Sequence, residues 1–147
     1  MNLQALFFKY FEQDLEANLH LLRSLETHEN QIDQEILKQF SHLLNAHHIW
    51  NCRLYQQIEE SGWWDSHSPY HFERLARDNY QQTLNYLEHQ APFNQVHYYL
   101  EDEVQTEGLS ADILMQILFH SNYHRAQIIQ LLKRQSIQAG SFRPNFG

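Results

Sequence analysis

Ile113-Leu114-Met115-Gln116-Ile117-Leu118-Phe119-His120-Ser121-Asn122-Tyr123-His124-Arg125 is the stretch whose reading decides the fold. At three-and-four spacing Ile113, Ile117, His120, His124, Ile128 and Leu131 share one face of a helix. The face has the spacing of a core-facing stripe, yet two successive slots hold His where Leu or Ile would ordinarily sit. Burying a polar ring without a partner costs about 1–3 kcal/mol, so both rings require something to bond. A divalent metal satisfies two inward imidazoles at i and i+4 together. The plainer alternative is a pair of core histidines satisfied by hydrogen bonds. With 11 His in the chain, some such pairs arise by chance. A third ligand would separate the two.

Working outward, this last helix is expected over about residues 110–135, with Ser110 as its cap. Before it, residues 93–107 change pattern: Val96, Tyr98, Leu100 and Val104 alternate in a strand-like or irregular loop that Gly108 closes. Leu3, Phe7, Tyr10, Asp14, Ala17, Leu21 and Leu25 predict a first helix over about residues 2–27. Asp14 inside that stripe is a boundary residue or an orienter of a ligand His. Ile36, Phe40, Leu43, Leu44, His47, Trp50, Leu54 and Ile58 predict a second helix over about residues 33–60, ended by Ser61-Gly62. Trp63-Trp64-Asp65-Ser66-His67-Ser68-Pro69 reads as a connection, with Ser68 as N-cap and Pro69 at the first helical position of a third helix over 69–89. Ala91-Pro92 breaks that helix. Residues 136–147 form an extended tail, docked through Phe142 and Phe146. The whole is expected to be one all-α domain over residues 1–147, a four-helix bundle with a long connection before the last helix.

Composition narrows the function. Lys+Arg 10 against Asp+Glu 18 leaves a net charge of -8, which argues against nucleic acid or an anionic membrane as partner. No apolar run approaches the ~20 residues of a membrane span. The N-terminus lacks a basic segment and soon reaches Glu12 and Asp14, so no signal peptide is expected. Cys52 is the one cysteine, which fits a reducing cytoplasm. Its polar neighbours suggest a surface or boundary thiol rather than a nucleophile.

The second helix offers three candidates for the missing ligand. His47 falls between Leu43 and Trp50, at the middle of the stripe, and the helical wheel favours it. His42 lies on the flank with Ala46 and Ile49, while His48 points to the polar side.

Ser41-His42-Leu43-Leu44-Asn45-Ala46-His47-His48-Ile49-Trp50, followed by Arg53-Leu54, resembles the second-helix signature of the DinB/YfiT-like metalloenzymes: a His, a small apolar stretch, and a Trp eight residues on. His120-Ser121-Asn122-Tyr123-His124-Arg125-Ala126-Gln127-Ile128 resembles the last-helix signature of that family. Tyr10 through Ala17-Asn18, and the loop with Glu103 and Gly108, fit as well, so the resemblance spans nearly the whole chain. It departs at Ala126, where the family commonly has Gly, and in lacking a Trp near Glu16. The resemblance implies His42, His120 and His124 as metal ligands, with His47 the named alternative. It also implies a homodimer, and relatives that are hydrolases or thiol-dependent S-transferases.

Three neutral imidazoles leave coordination positions open, as in catalytic rather than structural sites. Such a position takes water, whose pKa zinc lowers to ~7, or a substrate thiolate. Zn or Ni is expected first, with Fe, Mn or Cu behind them. The expected function is a metal-dependent hydrolase or thiol S-transferase acting on a small-molecule substrate, with a thiol as possible cosubstrate. Asp14, Glu103 and Arg125 are the acid/base candidates by position, although Arg125 directly follows a ligand and so points away from the metal. The competing expectation is a non-catalytic bundle with a vestigial or structural site. It would act through self-association or a protein partner by way of Trp63, Trp64, Phe142 and Phe146.

Overall fold

Capping side chains set the starts of the first two helices. Asn2 accepts the Ala5 N–H at 2.8 Å and opens α1, Leu3–Thr27. Asp33 accepts the Ile36 N–H at 3.0 Å and opens α2, Gln34–Tyr55. A 3-10 turn over Pro69–His71 leads into α3, Phe72–His89, and α4 covers Ser110–Arg134. Between α3 and α4, β1 (Gln95–Tyr99) pairs antiparallel with β2 (Gln105–Leu109). These are features of a computed structural model that describes residues 2–146. Met1 and Gly147, the ends of the expected domain and tail, lie outside the described residues.

Side-chain contacts give the helix directions. Gln135 donates to Asp33, His42 meets His120 and His124, and Leu54 clusters with Leu114, so α2 and α4 are antiparallel. Asn79 donates to Leu44 O and Tyr55 donates to Gln82 O, so α2 and α3 run the same way. Gln4 donates to Leu87 O, and Asp14 meets Arg125 halfway along α1 and α4. The order is therefore up, down, down, up. That arrangement needs a crossover between α2 and α3, which residues 56–71 supply by climbing back along α2. Glu60 N–H reaches His48, Asp65 O accepts from Asn45, and His67 N–H reaches Ser41. Only then does Phe72 stack on Phe40, at 4.7 Å.

The crossover revises the expected second helix, which stops at Tyr55 instead of running to about residue 60. Gln56 adopts the left-handed conformation (φ 56°), and the Gln57 N–H closes on Cys52 O at 2.8 Å. The chain thus has two long connections rather than one. The one before α4 is an ordered hairpin, and Gly108 lies inside β2, paired with Val96, instead of closing a loop. Ser110 is not a cap; its hydroxyl accepts the Asn94 N–H and donates to Ala91 O, tying the hairpin to α4. The tail is extended as expected: Phe142 packs on His20 and Phe146 on Tyr10.

Two apolar clusters fill the bundle. One is built around Leu22, Phe40, Phe72 and Leu132, the other around Phe11, Leu87, Leu114 and Ile117. Between them lies a buried polar layer. Asp14 Oδ1 accepts from Arg125 at 2.6 Å, Asn18 Oδ1 accepts from the same nitrogen at 2.8 Å, and His47, Asn51, Asn79 and Thr83 bond one another. Each of these groups has a partner, which is what makes a polar layer tolerable inside a core. No helix among the described residues is long and apolar enough to cross a membrane.

Candidate metal centre

At the edge of that layer, between α2 and α4, three imidazoles converge. His42 comes from α2, His120 and His124 from successive turns of α4. Ring centroids are 5.3 Å apart for His42 and His120, 4.6 Å for His42 and His124, and 4.3 Å for His120 and His124. One ring nitrogen from each residue falls within 4.8 Å of the others. The Nε2 atoms of His120 and His124 are 3.1 Å apart. Metal–nitrogen bonds of ~2.0–2.1 Å in a tetrahedral site put ligand nitrogens about 3.3 Å apart, so the donor set fits a divalent ion.

Electrostatics favour the neutral rings that a metal needs. Burial lowers the pKa of His120 to about 4, helped by His124 and His42. Burial also lowers His42, against the hydrogen bond it donates to Trp63 O, which favours its charge. His124 is lowered by burial and by His42, with Gln127 opposing. Three rings this close cannot share positive charge, and they stay unprotonated near neutral pH.

The crossover orients His42. Its Nδ1–H donates to Trp63 O at 2.8 Å, which turns Nε2 toward the centre. The Trp64 indole lies flat on the same ring, with 3.8 Å between centroids and 9° between planes. Trp63 is itself held by Glu101, which accepts from its Nε1–H at 2.6 Å and from Arg53 at 2.9 Å. Arg53 in turn packs over the Trp50, Trp63 and Tyr98 rings. The hairpin therefore braces the crossover, and the crossover braces His42. The two Trp residues read from sequence only as a connection, because nothing in their spacing shows which ring they cover.

The other candidates fall elsewhere. His47 faces α1 and α3: its Nε2–H donates to the Thr83 hydroxyl at 2.8 Å and its ring lies 5.9 Å from Phe11. His48 accepts the Glu60 N–H at 3.0 Å and is not one of the three converging rings. Asp14 and Arg125 are bound to each other, and Glu103 is exposed at the hairpin turn, so none of the three joins the centre. Cys52 is buried, not at the surface, with the His48 ring 3.6 Å from its sulfur. Burial, with Glu59 and Glu60 nearby, pushes its thiol up to about 11, which leaves it protonated and unreactive.

A groove of about 400 Å³ opens beside the histidines, lined by Glu35, Gln39, Tyr123, Gln127, Leu131 and Arg134 among others. The groove adjoins the cluster through Tyr123, whose ring lies 5.2 Å from that of His124. Comparison with protein-family models gave no match, and neither did comparison with curated proteins or with solved structures.

Proposed function

We propose that this protein is a metal-dependent enzyme of the DinB/YfiT-like kind, with His42, His120 and His124 holding a divalent ion. The observation that carries the proposal is the convergence of these three neutral imidazoles, one of them oriented by a backbone carbonyl. A nitrogen-only set suits zinc or nickel first, with iron, manganese or copper as alternatives. Three protein ligands leave a coordination position open, so the bound ion would supply a Lewis acid for hydrolysis or for activating a thiol.

The chain's own residues set the conditions for that chemistry. Burial keeps the rings unprotonated, Trp63 O fixes the His42 tautomer, and Trp64 shields one side of the centre from water. The groove admits a small-molecule substrate beside Tyr123 and Gln127. Hydrolase and thiol S-transferase are joint assignments, since among the described residues no carboxylate joins the three-histidine group to favour a general base.

Elemental mass spectrometry of the untagged protein tests the metal assignment. Zinc or nickel should be near-stoichiometric in wild type and in His47→Ala, and lost in His42→Ala. Metal retained in His42→Ala and lost in His47→Ala would move the third ligand. Absence of metal after reconstitution with either ion would overturn the assignment.

A further inference from the structure

Two buried polar atoms next to the histidine cluster have no hydrogen-bond partner among the described residues: His124 Nδ1 and Gln39 Oε1. Their chemistries are complementary. When His124 Nε2 faces a metal, Nδ1 carries the proton and must donate. Gln39 Oε1 can only accept, and its amide orientation is settled, because Gln39 Nε2 donates to Glu35 Oε1 at 3.1 Å. The flipped amide would set an oxygen against that carboxylate.

One side chain is placed to serve both atoms. Gln127 lies on α4 three residues beyond His124, on the same side of the helix. It lines the same groove as Gln39. The antiparallel register that sets Gln135 beside Asp33 and His124 beside His42 brings residue 127 opposite residue 39. Gln127 stands within side-chain hydrogen-bonding reach of the His124 ring. A primary amide carries an acceptor oxygen and two donor hydrogens, which is what two such orphaned atoms require.

We propose that Gln127 is the positioning residue of the centre: its Oε1 accepts from His124 Nδ1–H while its Nε2–H donates to Gln39 Oε1. The result is a chain of hydrogen bonds, His124 to Gln127 to Gln39 to Glu35, ending on a carboxylate. It holds the His124 ring with Nε2 facing His42 and His120, as Trp63 O holds the His42 ring. Outer partners of metal-ligating histidines typically contribute 10–100-fold in metal affinity. This role rests on the metal assignment above, yet the tautomer it imposes is present without metal.

The test pairs two measurements on wild type, Gln127→Leu, Gln127→Glu and Gln39→Leu. Nitrogen-15 histidine spectra of the metal-free proteins report the His124 tautomer, and chelator competition reports zinc affinity. His124 should be the Nδ1–H tautomer in wild type and in Gln127→Glu, which keeps the acceptor. Gln127→Leu should shift the ring toward Nε2–H and weaken zinc 10–100-fold, with an unchanged circular-dichroism melt. Gln39→Leu should shift both readouts in the same direction by less, and it carries the test should Gln127→Leu unfold. A Nε2–H ring in wild type, or wild-type tautomer and affinity in Gln127→Leu, would overturn the proposal. A wild type that binds no zinc but loses the Nδ1–H tautomer in Gln127→Leu would end the metal assignment and uphold the positioning role.

Discussion

His42 and His47 lie five residues apart on α2 and meet opposite surroundings. His42 faces His120 and His124, with Trp64 stacked on its ring. His47 is sealed among Phe11, Thr83 and the Asp14–Arg125 pair. Its pKa falls to about 4, chiefly through burial; Asp14 opposes the shift, while His48 and Arg125 add to it. The folded value lies below the ordinary 6.5, so the unfolded chain takes up the proton first as pH falls. Stability is therefore lost between about pH 6.5 and pH 4, and this group has no effect above that window. Urea unfolding at pH 7 and pH 5 should show wild type losing about 2 kcal/mol more than His47→Asn. Equal losses in the two proteins would remove His47 as the cause. The helical wheel was right that His47 points inward, but inward there means toward α1 and α3.

At the scale of elements, the decisive piece is the crossover, residues 56–71. It sets α3 parallel to α2, bonds His42 and lays Trp64 on its ring. Trp64 is 50% exposed, so removing its indole uncovers the centre at little cost to the core. Trp64→Ala should release zinc to a chelator about tenfold faster than wild type, with unchanged helix content. Identical release rates would mean that the indole shields nothing. The helices at either end of the chain were legible, with α1 and α4 ending within a residue or two of their expected bounds. The end of α2 was not, because Gln56 takes a left-handed turn that the sequence advertises only when Gly or Asn occupies it. The stripe on α4 also rotates slightly: Ser121 and Leu132 are the buried members, while His120 and Leu131 are half-buried. That rotation leaves His120 half-buried rather than sealed in the core.

At the scale of the whole molecule, the centre lies where two apolar clusters meet a polar layer, on the side of the bundle that the groove opens. If the three histidines hold an ion, a small molecule must reach it, and the groove of about 400 Å³ that adjoins His124 through Tyr123 offers an approach. Cobalt-substituted protein should therefore change its visible spectrum on adding azide, and the change should vanish in His120→Ala. A spectrum indifferent to azide would point to a closed, structural site. From sequence alone came the helical periodicity, the pair of imidazoles one turn apart on α4, and a short set of candidates for their third partner. Those are properties of single helices, whose 3.6-residue repeat is written in the order of residues. Periodicity alone favoured His47 and the family resemblance pointed to His42; the tertiary structure brings His42 to the pair and turns His47 toward α1 and α3. A periodic stripe says which residues leave solvent, but the neighbour they meet depends on helix directions, which the crossover after Gln56 sets.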